Sequence, residues 1–69
     1  MRLSTRNQLA GTVTAITVGS VMTTVKVDVN GQEVTAAVTK EAVEELGLQV
    51  GSPVYALITS TEVMLGVDD

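Results

Sequence analysis

The sequence predicts an all-β domain that contains one short helix. Thirteen of its 69 residues are Val and ten are Thr, and β-branched residues are enriched in strands. Apolar and polar residues alternate over Val21–Val29, and the Asn30-Gly31 pair that follows is the preferred sequence of a two-residue hairpin turn. The alternation gives way to helical spacing only over Thr39–Leu48. These three observations predict strands on both sides of a single helix.

The first three strands are predicted from alternation and from turn residues. We expect them at Gly11–Val18, Val21–Val29 and Gln32–Thr39, separated by Gly19-Ser20 and Asn30-Gly31. The second strand has the clearest alternation, with Val and Thr on one face and mostly polar residues on the other. Because both central residues of a type I′ turn need positive φ, Asn-Gly joins this strand to the third as a hairpin.

The helix has a predicted start and a predicted end. Thr39 is a good N-cap, because its hydroxyl can accept from the free amides of the first turn, and Glu41 is favourable in that turn. Gly47 suits the left-handed position that ends a helix, and Leu48 then folds back on the last turn. One apolar edge is formed by Ala42, Val43 and Leu46.

Two more strands are expected after the loop at Val50–Pro53, at Val54–Thr59 and at Glu62–Val67, with Asp68-Asp69 as a frayed end. The order of three strands, a helix and two strands is that of an OB-fold-like five-stranded barrel. An SH3-like barrel or a small sandwich is the alternative. We expect residues 1–69 to form one domain.

Composition excludes several classes of function. Cysteine and histidine are absent, which removes thiolate metal sites and imidazole catalysis. Tyr55 is the only aromatic residue, and four basic residues stand against eight acidic ones. Base stacking and phosphate-backbone binding are therefore disfavoured. We expect a binding module or an assembly subunit, not an enzyme, with no nucleic-acid partner and no catalytic cofactor.

The same composition predicts where the protein resides and how it associates. The basic start of the chain is not followed by an apolar run, and no apolar stretch is long enough to span a membrane. We therefore expect a soluble, cytoplasmic protein without a membrane partner. Apolar residues make up 45% of the chain, yet their side chains are small. A scaffold of this size usually needs further stabilisation, which favours a homo-oligomer.

Three segments are rich in hydrogen-bond donors and have an ordinary structural explanation beside a functional one. Ser4–Gln8 reads as a polar leader or as an oxyanion site built on Arg6. Thr59–Thr61 reads as a hairpin turn or as further donors, and Thr39-Lys40 as an N-cap or as an anion site. The carboxylates of Glu41, Glu44 and Glu45 are explained as the solvated face of the helix.

The opening Leu3–Gly11, Leu-Ser-Thr-Arg-Asn-Gln-Leu-Ala-Gly, resembles the S-x-R-N-x-L-x-G start of the molybdopterin-binding-protein-like domain, or Mop domain, of the TOBE/MOP-like group. The likeness continues in the same order through the rest of the chain. It includes Thr39–Leu48, Gly51, Val54–Ile58 and Glu62–Gly66. The sequence therefore resembles the single-domain members of this family, the molbindins, over almost all of its length.

This resemblance implies an OB-like barrel that assembles as a hexamer, a trimer of dimers. It implies that molybdate or tungstate binds at subunit interfaces in the cytoplasm, for storage and homeostasis of molybdenum. The ligand is then the oxyanion itself, with no separate metal site, no pterin and no catalysis.

The resemblance also implies which residues bind the anion. The candidate oxyanion-binding residues are Ser4, Thr5, Arg6, Asn7, Thr39, Thr59, Ser60 and Thr61. Ser4 and Arg6 match contacts of the family, and Asn7 matches a neighbour that helps to shape the site. A second class of site uses main-chain amides, here those of Gly19, Ser20 and Val21.

Two positions depart from the family pattern. Ala42 stands where the helix motif has Ser, and Thr59 stands where many relatives have a Lys that pairs with the anion. The alternative hypothesis is therefore a structural or regulatory oligomeric module in which the oxyanion site has degenerated.

Overall fold

The computed structural model describes residues 3–68. Its strands are β1 (Asn7–Val18), β2 (Thr23–Val29), β3 (Gln32–Val38) and β4 (Pro53–Ile58), and its helix is α1 (Lys40–Leu46). One 3₁₀ turn covers Ser60–Glu62. All strand pairs are antiparallel, in the order β3-β2-β1-β4. The predicted all-β chain with one helix between the third and fourth strands is confirmed.

β1 is the shared strand of the sheet. Its first half, Asn7–Thr12, pairs with β4, and its second half, Thr12–Val18, pairs with β2. The register shifts between Val13 and Ala15, where a bulge bends the strand. The predicted start at Gly11 is therefore four residues late. Asn is depleted in strands, and Asn7–Ala10 shows no alternation of apolar and polar residues, but pairing with β4 holds this segment in the sheet.

The hairpin of β2 and β3 and the helix caps agree with the predictions. Asn30 and Gly31 both have positive φ, at 51° and 84°. The hydroxyl of Thr39 accepts a hydrogen bond from the Ala42 amide, and Gly47 ends α1 in the left-handed conformation. β2 begins at Thr23, two residues later than predicted, because the Gly19 amide donates to the Met22 carbonyl at 3.0 Å and closes the turn there.

The core is small and consists of valine. Val13, Val25 and Val27 are buried, and five partly buried side chains pack on them: Ile16, Val29, Val38, Val43 and Val54. These residues come from β1, β2, β3, β4 and α1, so the helix covers one part of the curved sheet.

The predicted fifth strand at Glu62–Val67 is wrong for the chain taken alone. Glu62 belongs to the 3₁₀ turn, and residues 63–68 pair with no strand within the described part of the chain. A strand needs a neighbouring edge to which its amides and carbonyls can bond, and this segment leaves the sheet. Met64, Leu65 and Val67 are consequently 92%, 95% and 88% exposed. Asp69, the end of the predicted frayed terminus, lies outside the described residues.

The barrel is therefore open between β3 and β4, which are the two edges of the sheet. A groove of about 820 Å³ lies between these edges. Its lining is mainly apolar and includes Val34, Ala36, Val38, Val54 and Ala56.

Candidate functional site

The pairing of β1 with β4 brings two of the donor-rich segments to one end of the sheet. Asn7 lies opposite Ile58 in the antiparallel register. Residues 4–6 enter β1 at this point, and residues 59–61 leave β4 at the same point. Seven of the eight candidate oxyanion-binding residues, all except Thr39, thus belong to one corner of the sheet. We call it the β1/β4 corner (residues 4–7 and 59–61).

Two side-chain amides donate hydrogen bonds to backbone carbonyls at the β1/β4 corner. Asn7 Nδ2 donates to the Ile58 carbonyl at 3.0 Å, in a partly buried hydrogen bond. Gln8 Nε2 donates to the Thr5 carbonyl at 2.9 Å. Gln8 was not among the predicted site residues. Its position three residues after Thr5 is the only sequence signal that points to this local bond.

The hydroxyls of Thr59–Thr61 lie on the 3₁₀ turn. The Glu62 amide donates to the Thr59 carbonyl at 3.0 Å, which closes the turn. Thr61 Oγ1 donates to Thr59 Oγ1 at 3.5 Å, a long contact that leaves the Thr59 proton available. All three side chains are exposed. The turn therefore presents hydroxyl donors to the surroundings of the corner.

Arg6 is the positive charge of this corner. It is exposed, and among residues 3–68 the one ion pair joins Lys26 to Glu33 at 3.8 Å. Arg6 is thus not neutralised by a carboxylate in the described part of the chain. A guanidinium offers five N–H donors and no acceptor. The corner therefore combines one cation with hydroxyl donors, which suits an anion that needs only donors.

Within one chain, the strand register connects Thr39 to the end of β1 opposite to the β1/β4 corner. It follows Val38, which pairs with Thr23, and Thr23 pairs with Val18 at the opposite end of β1 from Asn7. The Thr39 hydroxyl accepts from Ala42 N at 3.1 Å, so its own proton is still available to donate. The register of one chain therefore does not pair the Thr39 segment with the Arg6 segment.

The second candidate site, the turn Gly19–Val21, lies at the same end of the sheet as Thr39. The Gly19 amide is already used, because it donates to the Met22 carbonyl at 3.0 Å. Ser20 and Val21 form the exposed tip of the turn. The Gly19–Met22 bond therefore leaves two of the three predicted main-chain donors available, the amides of Ser20 and Val21.

Thr23, at the start of β2, is a buried polar residue that the prediction of this strand did not single out. It is 1% exposed, and its hydroxyl has no hydrogen-bond partner among the described residues. It lies on the inward face with Val25 and Val27, where alternation alone does not distinguish Thr from Val.

No helix of the described residues is long and apolar enough to cross a membrane.

The sequence model described as the TOBE domain matches residues 3–65. The chain is 46% identical over 69 residues to the "Probable molybdenum-pterin-binding protein" of Haemophilus influenzae, with 99% of this chain and 100% of that protein covered.

Two solved structures are similar in fold. The molybdate-binding protein of Sporomusa ovata has a TM-score of 0.91 and 39% identity, covering 97% of this chain and 100% of that chain. A molybdate-bound form of the cytoplasmic molybdate-binding protein ModG has a TM-score of 0.91 and 48% identity. That match covers 99% of this chain and 49% of the ModG chain, so this chain spans about half of it.

The fold and the corner define a small OB-like domain that presents hydrogen-bond donors at one end of its sheet, and the OB-like fold class is confirmed by these structural neighbours. The chain belongs to the TOBE-domain family, within its group of molybdenum-pterin-binding proteins, or Mop proteins. The family predicted from the opening and helix motifs is thus confirmed.

Proposed function

We propose that the protein binds molybdate and tungstate in the cytoplasm, at subunit interfaces of a homo-oligomer, and serves molybdenum storage and homeostasis without catalysing a reaction. The observation that carries the proposal is the β1/β4 corner, where Arg6 lies at the same end of the sheet as Thr59–Thr61 and pairs with no carboxylate among residues 3–68. The molybdate-binding relatives support the choice of ligand.

The chemistry of the corner fits a tetrahedral dianion. Molybdate carries no proton at neutral pH, so that it requires donors and no acceptor. Arg6 and the hydroxyls of Ser4, Thr5, Thr59 and Ser60 supply such donors. Phosphate retains a proton near neutral pH and would leave its O–H without an acceptor, which disfavours it. Sulfate is also fully deprotonated, and only the size of the site separates it from molybdate.

The separation of Thr39 from the corner supports an interface site. One chain places these candidate ligands at opposite ends of β1. We propose that Thr39 of a second copy approaches Arg6 of the first, so that both contribute to one anion. Ser20 and Val21, near Thr39, form the proposed second class of site through their amides.

The open barrel supports self-association. Its groove between β3 and β4 is apolar, and the Val63–Val67 segment exposes apolar side chains outside it. Val63, Leu65 and Val67 share one face when the segment is extended. We propose that this segment of a neighbouring copy enters the groove and adds a fifth strand. The proposed assembly is a hexamer, a trimer of dimers, as the family resemblance implies.

The experiment that tests the proposal is titration calorimetry with molybdate, tungstate, sulfate and phosphate, with light scattering to measure the mass of the assembly. We expect saturable binding of molybdate and tungstate, weak or absent binding of phosphate, and a mass several times 7.2 kDa. A 7.2 kDa particle at micromolar concentration would remove the interface site.

The alternative, an oligomeric module without oxyanion binding, is favoured by two residues. Ala42 supplies no hydroxyl beside Thr39, and Thr59 supplies no positive charge beside Arg6. This alternative predicts a stable oligomer that releases no heat with either metal oxyanion.

A further inference from the structure

Two backbone carbonyls border the donors of the β1/β4 corner. The Thr5 carbonyl lies in the segment that carries Ser4 and Arg6, and the Ile58 carbonyl directly precedes Thr59. A carbonyl oxygen carries partial negative charge, so that one facing an oxyanion repels it. Each of these two oxygens instead accepts a hydrogen bond from a side-chain amide, Thr5 from Gln8 and Ile58 from Asn7.

We infer that Asn7 and Gln8 are positioning residues of the oxyanion site, whose amides mask two carbonyl acceptors and hold the donor segments in place. The inference rests on the proposed function, because it assigns these residues to the same site. For Asn7, which the family resemblance implies helps to shape the site, it specifies that this residue acts through the Ile58 carbonyl. It also adds Gln8, which no sequence motif assigned to the site.

The two bonds fix the two sides of the corner independently. The Asn7 bond spans 51 positions of the sequence and is partly buried, so it ties the end of β4 to the start of β1. The Gln8 bond spans three positions and is exposed, so it fixes only the segment between Thr5 and the start of β1. Together they determine where residues 59–61 lie relative to residues 4–6.

An amide is well suited to this task. It offers two N–H donors, of which one masks the carbonyl, and it brings no net charge. A carboxylate in its place would repel both the carbonyl and the anion. An aliphatic side chain of the same length would leave the carbonyl without this hydrogen bond and would add no charge. That difference provides the test.

The test is molybdate titration of Gln8→Met, with Gln32→Met as the matched control at an exposed glutamine that begins β3. Because the Gln8 bond is exposed and local, the variant folds and assembles as the wild type does, which melting and light scattering check. A net contribution of 0.5–1.5 kcal/mol for a hydrogen bond converts to about two- to tenfold weaker binding. Gln32→Met is expected to bind as the wild type does.

A double-mutant cycle separates positioning from a general loss of structure. Asn7→Ala and Gln8→Met are each combined with Arg6→Ala. If the amides act through the donor segments, their effect on the dissociation constant shrinks when Arg6 is removed. Effects that simply add would overturn the inference.

The remaining outcomes distinguish this inference from the proposed function. Wild-type binding together with an unchanged dissociation constant in Gln8→Met overturns the positioning role and leaves the proposed function standing. Absence of molybdate binding by the wild type overturns the proposed function, and the positioning role with it.

Discussion

Gly11 of β1 lies so close to Asp28 of β2 that a Cβ atom on Gly11 would be 2.5 Å from the Asp28 carbonyl oxygen. The side chain of Val27 would be only 2.7 Å away. This contact occurs where β1 stops pairing with β4 and begins to pair with β2. Because Gly11 has no side chain, β1 can change at this point from pairing with β4 to pairing with β2.

Gly11→Ala is expected to lower the free energy of unfolding by about 1–3 kcal/mol, the usual cost of overpacking. The backbone of β2 cannot yield without disturbing the buried Val27. Glu45→Ala, at an exposed position of α1 outside the sheet and outside the proposed interfaces, is the control. Urea denaturation measures the free energy of unfolding of both variants. Equal stability would show that β1 and β2 move apart at Gly11 without cost.

Thr23→Val is expected to raise the free energy of unfolding by about 1 kcal/mol, because it removes a buried hydroxyl that has no partner among the described residues. Valine has nearly the same shape and joins Val25 and Val27 in the core. Thr17→Val, at an exposed position of β1, is the control and is expected to change little. A destabilised Thr23→Val would mean that the hydroxyl has a partner in the assembled protein.

Arg6→Ala is expected to weaken molybdate binding about tenfold to a hundredfold, since a charge-assisted hydrogen bond contributes roughly 1.5–3 kcal/mol. Thr59→Lys is expected to tighten it, because a second positive charge offsets the desolvation of a dianion. Lys26→Ala, which removes a charge paired with Glu33, is the control. Calorimetry decides, and unchanged binding in Arg6→Ala would move the search to Ser20 and Val21.

Thr39 has two proposed roles that two substitutions separate. Thr39→Ala removes the N-cap of α1 and is expected to cost about 1 kcal/mol of stability as well as anion affinity. Thr39→Asp keeps a capping oxygen but brings a negative charge to the anion. We expect it to melt as the wild type does and to bind molybdate at least tenfold more weakly. Wild-type affinity in Thr39→Asp would leave Thr39 as a cap only.

Leu65→Asp is expected to dissociate the assembly, because it puts a carboxylate on the apolar face of the segment proposed to fill the groove. Val50→Asp, at another exposed apolar residue in the loop before β4, is the control. Light scattering of both variants measures the result. An assembly of wild-type mass in Leu65→Asp would exclude residues 63–67 from the interface.

Local chemistry explains what the sequence predicted well. The Asn30-Gly31 turn, the Thr39 cap and the Gly47 end of α1 each depend on residues within a few positions of one another. The family and its opening motif were also recognisable from consecutive residues. For the same reason, Ser4–Arg6 and Thr59–Thr61 are recognisable in the sequence as donor-rich segments, whereas their proximity depends on the pairing of β1 with β4.

Long-range strand pairing explains the features of the fold and of the site that the sequence did not predict. Asn7–Ala10 joins β1 only because β4, more than forty positions later, pairs with it. The segment at 62–67 has the alternation of a strand, but no strand edge within residues 3–68 pairs with it. The masked carbonyl of Ile58 likewise depends on a bond across 51 positions, which no local pattern reveals.

The exposed segment at 63–67 has a consequence for how this protein denatures. If a neighbouring copy supplies the last strand, folding and assembly are one equilibrium, and mass action makes the melting temperature rise with protein concentration. Dilution alone would then unfold part of the population at a fixed temperature. The amount of the protein in the cell would determine how much of it is folded, and a poorly expressed variant would lose both abundance and stability together.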